Sequence, residues 1–441
     1  MWDESSVCHV LEDELSRRLL KLIGVTAAIM AVTVLLKLAP VPVGGRTALG
    51  SLVEVAAHAQ TVPGEPAPAV PTPWGEADLQ GIWTAIYEIP LERPPRFADQ
   101  EFFTDEERAE LDEERARIIS GDTRRASRGS EQDVGGAYAA DIYLSHKHLG
   151  RRTSLIVDPP DGRIPALTPE AQERRDAIRE YQLALLQATE VCRNDLPACA
   201  GGQYGSPSPR RLEPPPYYPA TGAAGGGAFN RADGPEDRGL GERCMSARLP
   251  DLGSVVGFFL EVVQSPGTVS MFYDTGQGQG WERIIPVTDR PHLPSHVRQW
   301  WGDSRARWEG DTLVVDVANF SSKTDYRGSR ENLHLTERWT RIDVDTLEYV
   351  VTMEDPTTWT RPWTAALELK RQSNEANRVY KEPRCHEGNY GMPGLLAGAR
   401  LEEQAFSEGQ GPDPATLCSA GCGGFAAGFA DSGADSNPLQ R

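Results

Sequence analysis

The chain has 441 residues, 64 Asp and Glu against 45 Lys and Arg, and a formal charge of −19. Such an excess of acid excludes a nucleic-acid binder, because backbone phosphates demand a basic face. It suits a soluble, self-repelling protein.

The N-terminus comes first in chain order. Arg17, Arg18 and Lys21 form a basic flank. Residues 22–36 (LIGVTAAIMAVTVLL) are an uncharged apolar run of 15 residues. A helix needs about 20 to cross the hydrocarbon core, so the run has the length of a signal-peptide apolar region. Ala57, His58 and Ala59 then place small residues two apart before Gln60. The expectation is an export segment over residues 1–59 and a periplasmic or extracellular product. Contact with a membrane would come only through this segment, left uncleaved.

Six cysteines follow that segment: Cys192, Cys199, Cys244, Cys385, Cys418 and Cys422. An even number in an oxidising compartment implies disulfides. Cys192 with Cys199 would close a small loop and Cys244 with Cys385 a long one, among fifteen possible connectivities.

Residues 60–73 (QTVPGEPAPAVPTP) form a Pro-rich linker. A single β-rich domain is expected over 74–404. It opens on a strand through residues 78–87. Thr104 and Glu107 make a capping box for a charged helix to about Ile119. Residues 152–157 suggest a short strand before a Pro-Pro-Asp-Gly turn. Thr168 and Pro169 start a second helix, which runs to about Val191. Residues 200–240 are rich in Gly and Pro and predict an irregular insertion.

From there the β pattern is continuous. Residues 258–264 and 268–273 flank Ser265, Pro266 and Gly267, as in a hairpin. Residues 281–287, 307–309, 312–317, 333–342 and 346–353 add strands separated by short turns. Leu347, Tyr349, Val351 and Met353 alternate with polar residues, and Trp363, Ala365, Leu367 and Leu369 repeat the alternation. The predicted class is mainly β: an antiparallel meander or calycin-like β-barrel with two or three peripheral helices. Residues 405–441 are expected to form a flexible tail.

Segments 78–83 (DLQGIW), 152–160 (RTSLIVDPP), 308–316 (WEGDTLVVD), 332–338 (NLHLTER), 354–363 (EDPTTWTRPW) and 385–390 (CHEGNY) resemble those of a large group of secreted proteins from environmental bacteria. The resemblance covers residues 72–404. It implies a secreted globular domain and no particular reaction. Gly81, Ile82 and Trp83 are also similar to the GxW that opens lipocalin barrels, and Thr324, Asp325 and Tyr326 echo a second lipocalin motif.

Three histidines stand at or near strand ends: His292, His334 and His386. Imidazole with carboxylate is the commonest ligand set for a divalent transition metal. These three are the candidate metal ligands, with Glu337, Glu387 and Asp303 as candidate acids or bases. The bland alternative is histidines hydrogen-bonded at a barrel rim. His334 and Glu337 are three apart, which in a strand puts them on opposite faces. Arg305 could clamp an anion, or pair with Asp303 to fasten the loop. Trp308, Trp359 and Trp363 are candidates for lining a ligand cavity, or are plain core. Three functions remain open at this point. One is a barrel binding a small hydrophobic or aromatic molecule. The second is a secreted metal-dependent hydrolase or lyase. The third is an envelope structural domain.

Overall fold

The computed structural model describes residues 71–119, 148–193, 204–218, 230–240, 242–245, 249–252, 259–274, 280–372 and 389–419. The export segment, His386, Glu387 and Cys385 lie outside them. Among the described cysteines, Cys192, Cys244 and Cys418 are disulfide-bonded.

Twelve strands occur among the described residues. β1 is Gly81–Thr84, β2 Tyr87–Glu88, β3 His148–Leu149 and β4 Ile156–Asp158. They are followed by β5 Phe259–Ser265, β6 Thr268–Asp274, β7 Gly280–Pro286, β8 Asp303–Glu309 and β9 Thr312–Ala318. The last three are β10 His334–Asp343, β11 Thr346–Glu354 and β12 Trp363–Arg371. The helices of more than one or two turns are α1 Asp105–Ile119, α2 Pro169–Leu186 and α3 Gly391–Ser407.

Nine strands make a nearly closed antiparallel barrel. β5, β6 and β7 form one meander, and β8 to β12 form a second. β1 joins them, pairing with β12 on one side and β5 on the other. Around the ring the order is therefore β1, β5, β6, β7, β8, β9, β10, β11, β12 and back to β1. β4 adds to the wall by pairing with Thr364 and Ala365, the half of β12 that β1 does not reach. The junction of β7 and β8 is different. It has no ladder, only a parallel bridge between Val287 and Ala306, with Thr288 N–H donating to the Ala306 carbonyl at 2.8 Å.

Parity explains that junction. In an up-and-down ring of nine strands, successive antiparallel pairings reverse direction eight times, and the ninth pairing must be parallel. A parallel pair cannot be joined by a tight turn and needs a long crossover. The chain supplies residues 287–302 between Pro286 and Asp303.

The barrel interior is set by strict alternation. β10 buries Leu335, Glu337, Trp339 and Arg341, while His334, Thr336 and Arg338 face outward. β11 and β12 bury Leu347, Tyr349, Val351, Met353 and Trp363, Ala365, Leu367, Leu369 in the same way. Trp83 enters from β1, fully buried, its indole N–H donating to the Leu79 carbonyl at 3.0 Å. Gly81, two residues earlier, has a φ of +143°. A Cβ there would stand 3.3 Å from the Arg371 guanidinium.

Both predicted helices begin where their caps lie. Thr104 and Glu107 bond reciprocally, Thr104 N–H to the Glu107 carboxylate at 2.7 Å and Glu107 N–H to the Thr104 hydroxyl at 3.2 Å. Thr168 caps α2 by accepting from Ala171 N–H at 3.2 Å. α2 stops at Leu186, before the expected Val191, and a single turn, Glu190–Arg193, follows. The strand expected over 78–87 is broken. Ala85 and Ile86 leave the ladder, and β2 pairs in parallel with β3 as a separate two-stranded sheet. The strand expected over 152–157 shortens to Ile156–Asp158: Arg152 bridges to Phe102 instead, the Thr153 hydroxyl donates to the Gln100 carbonyl, and the Ser154 hydroxyl turns onto the Ile156 carbonyl. α3 was not anticipated and runs past residue 404 to Ser407. No helix among the described residues is long and apolar enough to cross a membrane.

Trp83 is the wedge between the first and last strands, so its loss should leave a large cavity. Trp83→Ala should destabilise the protein by about 3–5 kcal/mol, read as a fall in the urea midpoint at unchanged m-value.

Candidate functional site

Two groupings of polar side chains stand out, one inside the barrel and one on its outer face. The inner grouping begins with Arg283. On β7, Trp281, Arg283 and Ile285 point inward. The Arg283 guanidinium meets the Glu337 carboxylate from β10 in bidentate fashion, at 3.2 Å and 2.7 Å. Both side chains are essentially without solvent exposure, at 2% and 0%. The remaining contacts are hydrogen bonds. Tyr349 O–H donates to Glu337 at 2.8 Å, while Arg283 donates to the Tyr273 hydroxyl and the Ser304 hydroxyl, each at 3.0 Å. Burial works against the Arg283 cation, but Glu337 and Tyr273 outweigh it and hold its pKa above the usual value. Burial raises Tyr273 and Tyr349, so both phenols stay protonated and remain available as donors.

Aromatic rings surround this network. Trp281 stacks on Tyr273 with centroids 5.2 Å apart, and Trp339 stacks on Tyr349 at 4.0 Å. Trp359, which follows β11, meets Trp363 edge-on at 5.5 Å. Trp308, on β8, is half-buried and packs against the same core.

The outer grouping is assembled by the crossover 287–302. His292 lies on that segment. Its Nδ1 faces Asp303 Oδ2 at 2.9 Å, and its Nε2 faces Asp316 Oδ1 at 2.5 Å. The other oxygen of Asp316 meets His334 Nε2 at 2.9 Å. Glu354 stands 3.8 Å from His334 Nδ1. The array thus reads Asp303, His292, Asp316, His334, Glu354. The crossover is pinned beside it: Leu293 N–H donates to Asp303 at 2.9 Å and the Asn319 amide donates to the Leu293 carbonyl at 2.7 Å. Gly302, at φ +68°, brings the chain into β8. A Cβ there would meet Val317 Cγ1 at 2.7 Å and the Ala318 carbonyl at 2.8 Å.

The His334 imidazole beside it, joined by His292, holds the Asp316 carboxyl down at about 2 against the effect of burial. Asp316 in turn raises His334, burial opposing and Glu354 helping. An imidazole fixed by a buried carboxylate is a common device of acid–base chemistry. Here the second nitrogen of His292 is taken by another carboxylate, not by a hydroxyl or thiol awaiting activation.

The structure thus brings His292, His334 and Asp303 together, with Asp316 as the bridging residue that sequence reading passed over. Among the described residues no group of three or more His, Cys, Asp or Glu is placed to hold a metal ion. Glu337 is not near the histidines. It sits inside the barrel, on the face of β10 opposite to His334. Arg305 pairs with Asp303 at 2.7 Å on the outer face. Trp359 and Trp363 lie together at one end of the barrel, and Trp308 lies elsewhere along it. Arg283 was the other omission. Its signal was a lone cation at an inward position between Trp281 and Ile285. For Asp316 the signal was a carboxylate in the otherwise apolar strand TLVVDVA.

No protein-family model matches the chain, and no curated protein matches it. Among solved structures, the crystal structure of a secretary abundant heat soluble (SAHS) protein from Ramazzottius varieornatus (from dimer sample) is similar to part of it. That overlap has 11% identity, spans 26% of this chain and 72% of that one, and has a TM-score of 0.19. A likeness of that extent carries no argument about fold or function.

Two outcomes test these groupings. Glu337→Leu leaves the guanidinium buried without its counter-charge and should cost about 3–5 kcal/mol in urea unfolding. Replacing both partners, Arg283→Met with Glu337→Leu, should recover most of that loss. On the outer face the sign follows from the shifts. The raised His334 stabilises below its unfolded value near 6.5 and loses that contribution as pH rises through its folded value. The lowered Asp316 contributes above its ordinary value of 3.8 and loses the effect as pH falls through about 2. The stability difference between wild type and His334→Asn should therefore be greatest near pH 5 and shrink by pH 9. Solvent screening keeps it within about 1 kcal/mol.

Proposed function

We propose that the chain is an exported barrel that binds a small hydrophobic or aromatic molecule inside its β wall. The carrying observation is the interior itself: a wall lined by Trp281, Trp339, Trp363, Tyr273 and Tyr349 around a fully buried, charge-matched Arg283–Glu337 pair. Such a pair is weak evidence for stability, since apolar residues of similar volume commonly do as well. A few fixed polar groups among aromatic walls are what a small-molecule site needs for orientation and specificity. The antiparallel ring supports the same reading, because up-and-down barrels present an interior that one end can expose.

The test is a titration with N-phenyl-1-naphthylamine. Saturable one-to-one binding should quench the buried tryptophans and raise probe fluorescence, and Trp339→Ala should weaken it at least tenfold. Absence of saturable binding to the folded protein would overturn the reading.

Export belongs to the same proposal. It rests on the basic flank, the apolar run 22–36 and the small residues before Gln60. Mass spectrometry of the exported product should find Gln60 at its N-terminus, and a non-reducing peptide map should join Cys244 to Cys385. A soluble product that keeps residues 1–59 would refute export, and a free thiol at either cysteine would refute the pairing.

A further inference from the structure

A cleft of about 540 Å³ lies outside the barrel, and a volume of a few hundred cubic ångströms is that of a small-molecule site. Its walls come from four stretches of chain: the turn Pro209–Leu212, residues 230–233, the C-terminal half of α3 and the turn Pro414–Thr416. None of the lining residues belongs to a barrel strand. Hydrogen bonds tie these stretches to their surroundings and to one another. Arg211 donates to the Leu185 carbonyl of α2 at 2.7 Å, Arg400 of α3 to the Asp233 carbonyl at 3.1 Å, and the Asn230 amide to the Leu417 carbonyl at 2.9 Å.

Most of the charge lining the cleft is matched within it. Arg231 pairs with Asp233, and Arg400 meets Glu403 in bidentate fashion, at 2.8 Å and 2.5 Å. Arg211, Asp413 and Glu402 also line the cleft, and none of them has an ion pair among the described residues. Asp413 accepts from Ala415 N–H at 2.9 Å, and Glu402 accepts from the Ser419 hydroxyl at 2.5 Å. The Arg211 guanidinium makes the one bond to Leu185, although such a group carries five N–H donors. Asp413 is the carboxylate that attracts Arg211 most strongly, yet the two do not touch. Burial lowers the Arg211 pKa, and the pull of Asp413 and Asp233 does not restore it.

The Arg211 fork therefore lacks a charged acceptor, the partner its geometry suits best. Asp413 and Glu402 lack a cation. A simple anion in this cleft would meet two unmatched carboxylates, and a simple cation would meet a partly desolvated guanidinium. A molecule carrying both charges satisfies both sides. Leu212 and Phe406 line the same cleft while 91% and 47% exposed, so an apolar group has surface to cover there. We infer that the cleft binds a zwitterion with an apolar side chain, an amino acid or short peptide, with its carboxylate on Arg211 and its ammonium on Asp413. This site is separate from the barrel interior and does not rest on the barrel-binding reading.

Calorimetry on the full chain with three probes tests it: the dipeptide alanyl-phenylalanine, its N-acetyl derivative, which lacks the ammonium, and its C-terminal amide, which lacks the carboxylate. The dipeptide should bind about tenfold or more tightly than either derivative, the weight of one charge-assisted hydrogen bond. Asp413→Asn keeps a side chain able to cap the turn and should bring the dipeptide to within about threefold of the N-acetyl form. Arg211→Gln should do the same against the amide. Saturating dipeptide should also leave the N-phenyl-1-naphthylamine titration unchanged. No binding of the dipeptide, equal binding of all three probes, or a preference that survives Asp413→Asn overturns the inference. Displacement of N-phenyl-1-naphthylamine would put the dipeptide in the barrel and overturn it as well. Should Arg211→Gln fail to fold, the three probes and Asp413→Asn decide the matter alone.

Discussion

Nine strands cannot close an up-and-down ring with antiparallel pairs alone. The parallel junction between β7 and β8 is where the remainder falls, and much of the polar architecture depends on it. A hairpin cannot span that junction, so residues 287–302 cross the outer wall. The crossing carries His292 onto β8 and β9, where Asp303 and Asp316 receive it. On the inside the same junction is tied by Arg283 reaching from β7 to Ser304 on β8 and to Glu337 on β10. One topological constraint thus has two polar fastenings, one on each face of the wall.

The two fastenings differ in their solvent. Arg283 and Glu337 are shut away from water, where an unmatched charge is severely penalised and the geometry of both partners is fixed by that penalty. Asp316 and His334 are about one third exposed, where screening leaves an ion pair weak and dependent on pH. The inner pair therefore acts mainly on the specificity of the fold. The outer array holds the crossover in place, and it does so under control of the medium.

The hairpins of the barrel were legible in the sequence because alternation with turn residues is a local signal. Leu347, Tyr349, Val351 and Met353 declare their face without help from the rest of the chain. The two capped helices were legible for the same reason. α3 was not, since Gly391, Gly394, Gly398 and Pro393 argue against a helix locally, and none of its residues is buried to leave an apolar stripe. The pairing of β1 with β12 and the role of Asp316 were also hidden. The first arises from pairing between strands far apart in the chain, the second from the path of the crossover 287–302 and the register of β9 with β10, and a single sequence carries no record of register. His334 and Glu337 illustrate the boundary. Their spacing already put them on opposite faces of a strand, and the structure assigns one to solvent and the other to the core.

β1 has a consequence for how the chain reaches this state. Trp83 stands opposite Arg371, and their numbers differ by 288. β1 pairs on its other side with β5, also far away in sequence. Contacts of such separation raise contact order and slow folding, because loop-closure entropy must be met before the pairing returns anything. β5 to β7 and β8 to β12 can each zip as local hairpins. The ring cannot shut until β1 is captured between the two groups. Until then β5 and β12 both remain open edges, the surfaces through which a second chain can add by strand exchange. The polar pair Asp78 and Gln80, bonded to each other at 3.2 Å, lies just ahead of β1, the strand whose arrival covers both edges.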